Sequence, residues 1–208
     1  MAERTTNDAL TLLGLANTFA CDWPIRLKAA SHVNLFILNS GVLPRFENKS
    51  PLIAHSALRL TCNHAGYVSL WHEQLGETWR EPGKEPFTWP VLTGDDERWA
   101  VRAGIDAVVA DAYGLARDQY EHVLSTFSHA SYKKAPELCL ARFDELKQLG
   151  LDAFTKKYDP YWDIPINENL PQPVIDLPIP GEAPDSGDGE YKLVDAPKKT
   201  RGRKSKKV

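Results

Sequence analysis

The strongest constraint in this chain is one apolar stripe of helical period. Val101, Ile105, Val108 and Ala112 follow one another at spacings of three and four, between Asp95–Asp96 and Gly114. An α-helix turns once in about 3.6 residues, so these side chains share a face that must be covered. Asp95 or Asp96 supplies an N-cap acceptor, and Gly114 suits the left-handed position beyond a C-terminus.

The same grammar recurs elsewhere. Ser50 followed by Pro51 predicts a helix from 51 to about 62 with Ile53, Ala57 and Leu60 inward. A second runs from Tyr67 to Leu75, directs Val68, Trp71 and Leu75 to one side and stops at Gly76. Tyr120, Val123, Leu124 and Phe127 mark another. A last one opens at Pro136, buries Cys139, Phe143, Leu146 and Leu149, and ends at Gly150. Trp79 to Thr93, with three prolines, reads as a loop. Only HVNLFILNSGVLP reads as strand, with Val33, Leu35 and Ile37 in a short apolar run, and a lone strand needs a partner. The expected fold is therefore mainly α: an irregular helical bundle with one short strand or hairpin near the N-terminus and a disordered C-terminal tail.

A chain of 208 residues with 42% hydrophobic residues suits one core. Three divisions follow: residues 1–49 as a connecting helix and strand, 50–167 as a helical module, and 168–208 as an acidic, Pro-rich linker and basic tail. The linker PQPVIDLPIPGEAPDSGDGE cannot bury enough apolar area to offset ordering. After Pro197, the segment KKTRGRKSKKV holds seven of the 25 basic residues. The net charge of -3 provides no overall basic field, so attraction to phosphate must be local. Three cysteines at unrelated spacings fit a reduced, cytoplasmic setting, and no segment has the roughly 18 apolar residues of a membrane span.

Two stretches carry a resemblance. The first is FACDWPIRLKAASHVNLFILNSGVLP, with Phe19, Asp22, Trp23, Arg26, Lys28, Asn34, Phe36, Leu38, Leu43 and Pro44. The second is DAVVADAYGLARDQYEHVLSTF, with Tyr113, Gly114 and Leu115 at a turn and Leu124, Thr126 and Phe127 closing a helix. Together they resemble the C-terminal region of adenine-specific DNA methyltransferases of restriction-modification and phage-defence systems, often fused to an endonuclease. One departure is Ala116, where that family usually has a capping Ser, Thr or Asp; loss of the acceptor costs about 1 kcal/mol.

The resemblance implies S-adenosylmethionine as the cofactor of the parent or partner. Methyl transfer requires a Gly-rich cofactor turn and an Asn/Asp-Pro-Pro-aromatic loop for the flipped adenine, and neither occurs in residues 1–208. No catalytic residue and no cofactor is assigned to this chain. Asp159-Pro160-Tyr161-Trp162 is similar to that loop only superficially, with one proline and no strand before it. Cys62, His64 and His72 are spaced too tightly for a zinc site and lack a fourth ligand, so they read as helix-end polar residues. Trp71, Trp79, Trp89 and Trp99 read as core rather than as a base-stacking platform, because Trp89 has no basic neighbour.

For DNA contact the candidates are Arg26 and Lys28, beside Asn34 of the first stretch, and Arg201, Arg203 and Lys204 of the tail. Arg201-Gly202-Arg203 resembles the centre of an AT-hook, with Lys204 where a proline usually follows. The expected partners are double-stranded DNA and a methyltransferase/target-recognition polypeptide, with the strand completing a sheet in the latter. That expectation also rests on a family segment starting close to Met1. An independent helical DNA-binding protein using its basic arm, and a non-functional gene fragment, are the alternatives.

Overall fold

The computed structural model describes residues 6–29, 32–33, 36–37, 41–44 and 51–168. It is mainly helical. Named here in chain order, the helices are α1 (Thr6–Ala16), α2 (Phe19–Lys28), α3 (Pro51–Thr61), α4 (Val68–Leu75), α5 (Asp95–Ala112), α6 (Arg117–Ser125), α7 (Ala135–Leu149) and α8 (Leu151–Tyr158), with a 3-10 turn at Ala65–Tyr67. The Ser50 cap, and the linker and tail from 169 onward, lie outside the described residues.

The long stripe forms α5 as expected, with Ala103 through Ala110 buried. Its cap differs. Gly94 occupies the cap position, Asp95 and Asp96 lie inside the first turn, and Glu97 reaches back to accept from the Thr93 N–H at 2.9 Å and the Gly94 N–H at 3.5 Å. A carboxylate at the third helical position satisfies donors that a glycine cannot, and the two aspartates still oppose the positive helix end. Lys84 holds Glu97 in place at 2.9 Å, and this hydrogen bond chiefly lowers the Glu97 pKa to about 2. Ala116 shows a parallel repair: lacking a cap acceptor itself, it donates its N–H to Gln119 Oε1 at 2.9 Å.

α3 is buried on every side from Leu52 through Arg59, where the sequence suggested one inward face. It lies between two apolar clusters, giving Leu52 and Ile53 to one and Ala54, Ala57 and Leu58 to the other. The first cluster centres on α5, packed along α7 and α6; the second gathers around Trp71 of α4, Val91, Leu92 and Tyr161. Arg59 survives inside this environment because Glu81 receives it in a two-pronged pair, Nε at 2.6 Å and Nη2 at 2.8 Å.

Two further expectations are corrected. Among the described residues there is no strand: Phe36 and Ile37 are helical, and the Phe36 side chain is 79% exposed. A single strand leaves its backbone groups unpaired, whereas helical turns satisfy them locally. Leu149 is 44% exposed, because at 100° per residue it falls roughly a quarter turn from Cys139, Phe143 and Leu146. α7 does end at Gly150, as expected. That residue adopts φ +76°, and α8 follows directly to bury Phe154 and Thr155.

Close approach of α1 to α3 depends on Gly14. A β-carbon there would lie 2.6 Å from Ile53 Cγ2 and 3.3 Å from the Ile53 carbonyl oxygen. In an open helix Gly→Ala would stabilise by about 1 kcal/mol. Here the β-branched Ile53, fully buried, cannot swing away, and overpacking of this kind costs about 1–3 kcal/mol. Gly14→Ala is therefore expected to lower the urea midpoint; an unchanged or higher midpoint would show that the two helices separate freely.

Candidate nucleic-acid interface

The start of α2 is built on α5. Thr18 caps the helix by accepting from the Cys21 N–H at 3.2 Å, while Asp106, in the middle of α5, accepts from the Phe19 N–H at 2.8 Å and also from the Ala20 backbone. The other Asp106 oxygen accepts from the Tyr120 hydroxyl of α6 at 3.0 Å. One 4%-exposed carboxylate thus joins three helices and occupies the positive end of one of them. Its pKa is raised to about 6, by burial first, with the three donors opposing.

Around this tie the two stretches that carry the resemblance meet. The Phe19 ring lies 4.8 Å from Phe127, 5.0 Å from His129 and 6.2 Å from Trp99. Trp23 meets His122 edge-on at 6.4 Å. Cys21 is hydrogen-bonded with Tyr113, whose hydroxyl donates to the Val42 carbonyl at 2.9 Å, so the Leu43–Pro44 end of the first stretch is tied to the turn of the second. At that turn Gly114 takes φ +71° and Leu115 returns its N–H to the Ala110 carbonyl at 3.1 Å. Burial raises the Cys21 pKa, which disfavours the nucleophilic thiolate.

Arg26 lies at the rim of this cluster. It pairs with Asp22 at 2.6 Å and sits over the Phe127 ring at 4.8 Å, with 65% of its side chain still exposed. Lys28 is exposed in the last turn of α2. Asn34, Arg201, Arg203 and Lys204 lie outside the described residues.

The four tryptophans divide into two groups. Trp71, Trp79 and Trp89 pack on one another with centroids 5.3–5.7 Å apart, and Tyr161 closes on Trp71 at 5.4 Å. Trp99 belongs to the junction instead, stacked between Phe19 and Tyr132 with Arg102 over its ring at 4.8 Å. Cys62 is buried, the His64 ring accepts from the Gly66 N–H at 3.0 Å, and His72 packs on Phe87 at 5.2 Å. Among the described residues no three His, Cys, Asp or Glu side chains converge as a metal set. Asp159 is 1% exposed, accepting from His55 Nδ1 at 2.6 Å and from the Tyr161 N–H at 2.9 Å, while the Tyr161 hydroxyl accepts from the Arg80 N–H at 3.0 Å. Those carboxylate bonds are turned into the core and anchor the segment after α8.

Sequence reasoning passed over Asp106, although a signal was present: it is the one carboxylate inside the buried run from Ala103 to Ala110. It also passed over Arg98 and Arg102, whose importance depends on what the neighbouring helices bring to them. No described helix is long and apolar enough to cross a membrane. Comparison with protein-family models, curated proteins and solved structures returned no match.

Asp106 gives the junction a pH signature. Its folded pKa of about 6 exceeds the ordinary 3.8, so the stability it contributes is fully present below pH 3.8 and is lost as pH rises through about 6. The difference corresponds to about 3 kcal/mol. Glu97 changes stability in the opposite direction, since its lowered pKa favours the folded state at higher pH. Comparing Asp106→Asn with the parent protein isolates the first effect: their difference in unfolding free energy should vary between pH 4 and 6 and level off above. A constant difference across that range would remove Asp106 as the titrating group.

Proposed function

We propose that this chain acts as the C-terminal accessory portion of an adenine-specific DNA methyltransferase of a restriction-modification or phage-defence system. It supports modification by packing and DNA contact, while S-adenosylmethionine and the chemistry of methyl transfer belong to a methyltransferase/target-recognition polypeptide. The observation that carries this reading is the convergence around Asp106 of the two stretches that resemble the family. Phe19 and Trp23 of one contact Phe127 and His122 of the other, across a separation of about a hundred residues.

The distribution of apolar exposure supports the packing role. Of nine large apolar side chains exposed among the described residues, seven fall between Leu12 and Leu43: Leu12, Leu13, Leu27, Val33, Phe36, Val42 and Leu43. Exposed apolar side chains form an interaction surface where they adjoin, and these lie on neighbouring stretches of the chain. Leu27 and Phe36, 67% and 79% exposed, are its most accessible long side chains besides Val42. Arg26 and Lys28 lie in the last turn of the same α2, which suits a surface where protein and phosphate contacts adjoin.

Co-expression with the methyltransferase/target-recognition polypeptide tests the proposal. The parent chain should co-purify, and Leu27→Asp with Phe36→Asp should reduce recovery at least tenfold without changing the melting midpoint of the isolated chain. The isolated chain should transfer no label from S-adenosylmethionine to DNA, whereas the complex should. Failure to co-purify, or methyl transfer by the chain alone, would overturn the reading.

A further inference from the structure

Five of the arginines described are paired with carboxylates: Arg26 with Asp22, Arg59 with Glu81, Arg80 with Asp163, Arg117 with Asp144 and Glu121, and Arg142 with Glu145. Arg98 and Arg102 are the exceptions among the described residues, and they stand one turn apart on α5. Both line the same recess of 170 Å³ between α1, α3 and α5, whose walls include Leu13, Asn17, Thr61 and Ile105.

Their existing contacts leave most of their donors unused. Arg98 gives one Nη2 N–H to the Leu60 carbonyl at 3.2 Å, near the end of α3, and Arg102 rests on the Trp99 face at 4.8 Å. A guanidinium has five N–H donors in a planar fork. Of the carboxylates nearby, Glu97 is engaged with Lys84 and Thr93 and Asp96 with Tyr132 at 2.6 Å; Asp106, one turn beyond Arg102, is hydrogen-bonded to Phe19, Ala20 and Tyr120, and the Arg102 charge lowers its pKa without an ion pair between them. Like charges one turn apart on a helix repel, although the exposed Arg102 leaves that repulsion partly screened by solvent. An anion seated between the forks removes that repulsion and uses the free donors. Paired guanidiniums match the oxygens of a phosphate group in both geometry and charge.

We propose that the Arg98–Arg102 recess is a phosphate-binding site that takes a backbone phosphodiester of DNA. The phosphate chemistry follows from the recess itself, and only DNA as its source rests on the function proposed above. Contacts of this kind position a duplex without reading its sequence, so the site would set the register of the modification assembly on DNA. It also places phosphate contact on α5, beside the junction that orients α2.

The test uses the full 208-residue chain, with inorganic phosphate and a short DNA duplex as probes. Phosphate should broaden its phosphorus resonance on binding the parent chain, and Arg102→Gln should weaken that binding about tenfold, the loss of one charge-assisted contact. The Arg102 side chain makes no hydrogen bond among the described residues, but its charge favours the Asp106 carboxylate, so Arg102→Lys, which keeps that charge and loses the fork, is the fold control: it should weaken phosphate binding with the phosphate-free melting midpoint unchanged. Arg98→Lys, which keeps the charge and loses the fork, should weaken binding less. The duplex should displace phosphate, and Arg102→Gln should reduce the slope of log affinity against log salt by about 1. Equal phosphate affinity in parent and Arg102→Gln, or no binding, overturns the site. Arg102-dependent phosphate binding that the duplex cannot displace overturns DNA as the source and assigns the site to free phosphate. Co-purification with the methyltransferase polypeptide is read separately, so the two proposals fail independently.

Discussion

A single buried carboxylate organises the N-terminal half of this molecule. Asp106 sits in the centre of α5, where burial opposes its charge, and its acceptors are filled by two N–H groups that open α2 and by the Tyr120 hydroxyl of α6. Hydrogen bonds to a charged group contribute about 1.5–3 kcal/mol each, and leaving such donors unmet inside a core costs a similar amount. Removing the carboxylate would strand donors on two helices at once. α2 can therefore enter the molecule at one place and one angle, and that placement brings Phe19 onto Phe127 and Trp23 onto His122.

The other organising element is α3. A helix buried on all sides depends on its neighbours for polar partners, which Arg59 and the Nδ1 of His55 find, while His55 Nε2 has none among the described residues. His55 is answered by Asp159 from the segment after α8, and Arg59 by Glu81 from the loop before α5. Both partners come from irregular segments, which explains why those segments are ordered. The stretch 79–93 has no helix of its own, yet it is fixed by Glu81, by Lys84 on Glu97 and the Val91 carbonyl, and by the packed rings of Trp79 and Trp89. Polar ties of this sort add specificity to a core that hydrophobic burial alone would leave free to slide.

Seven apolar side chains between Leu12 and Leu43 are exposed, and Arg98 and Arg102, neither in an ion pair among the described residues, line a recess that α1 helps to wall. Within the core, burial raises the thiol pKa values of Cys62, to about 12, and of Cys139, and the Asp159 carboxylate is committed to His55 and the Tyr161 N–H.

By itself the sequence determined where most helices lie. Spacings of three and four with glycine or proline at the ends specify α3, α4, α5, α6 and α7, because helix periodicity and termination are local properties of the chain. It also determined that the long loop would contain no helix, since three prolines remove donors and fix backbone angles. Local rules failed where a neighbour decided the outcome. The apolar run around Phe36 resembled a strand, yet among the described residues Phe36 and Ile37 are helical and no strand is present to pair with. Gly94 replaced the expected aspartate cap because Glu97 could be held by Lys84. Arg98, Arg102 and Asp106 recur at spacings of four, yet that spacing does not say which of them is buried. Whether a charge is buried, paired or left facing a recess depends on which distant residues are brought against it, and only the packing of α1, α2, α3 and α6 around α5 supplies that.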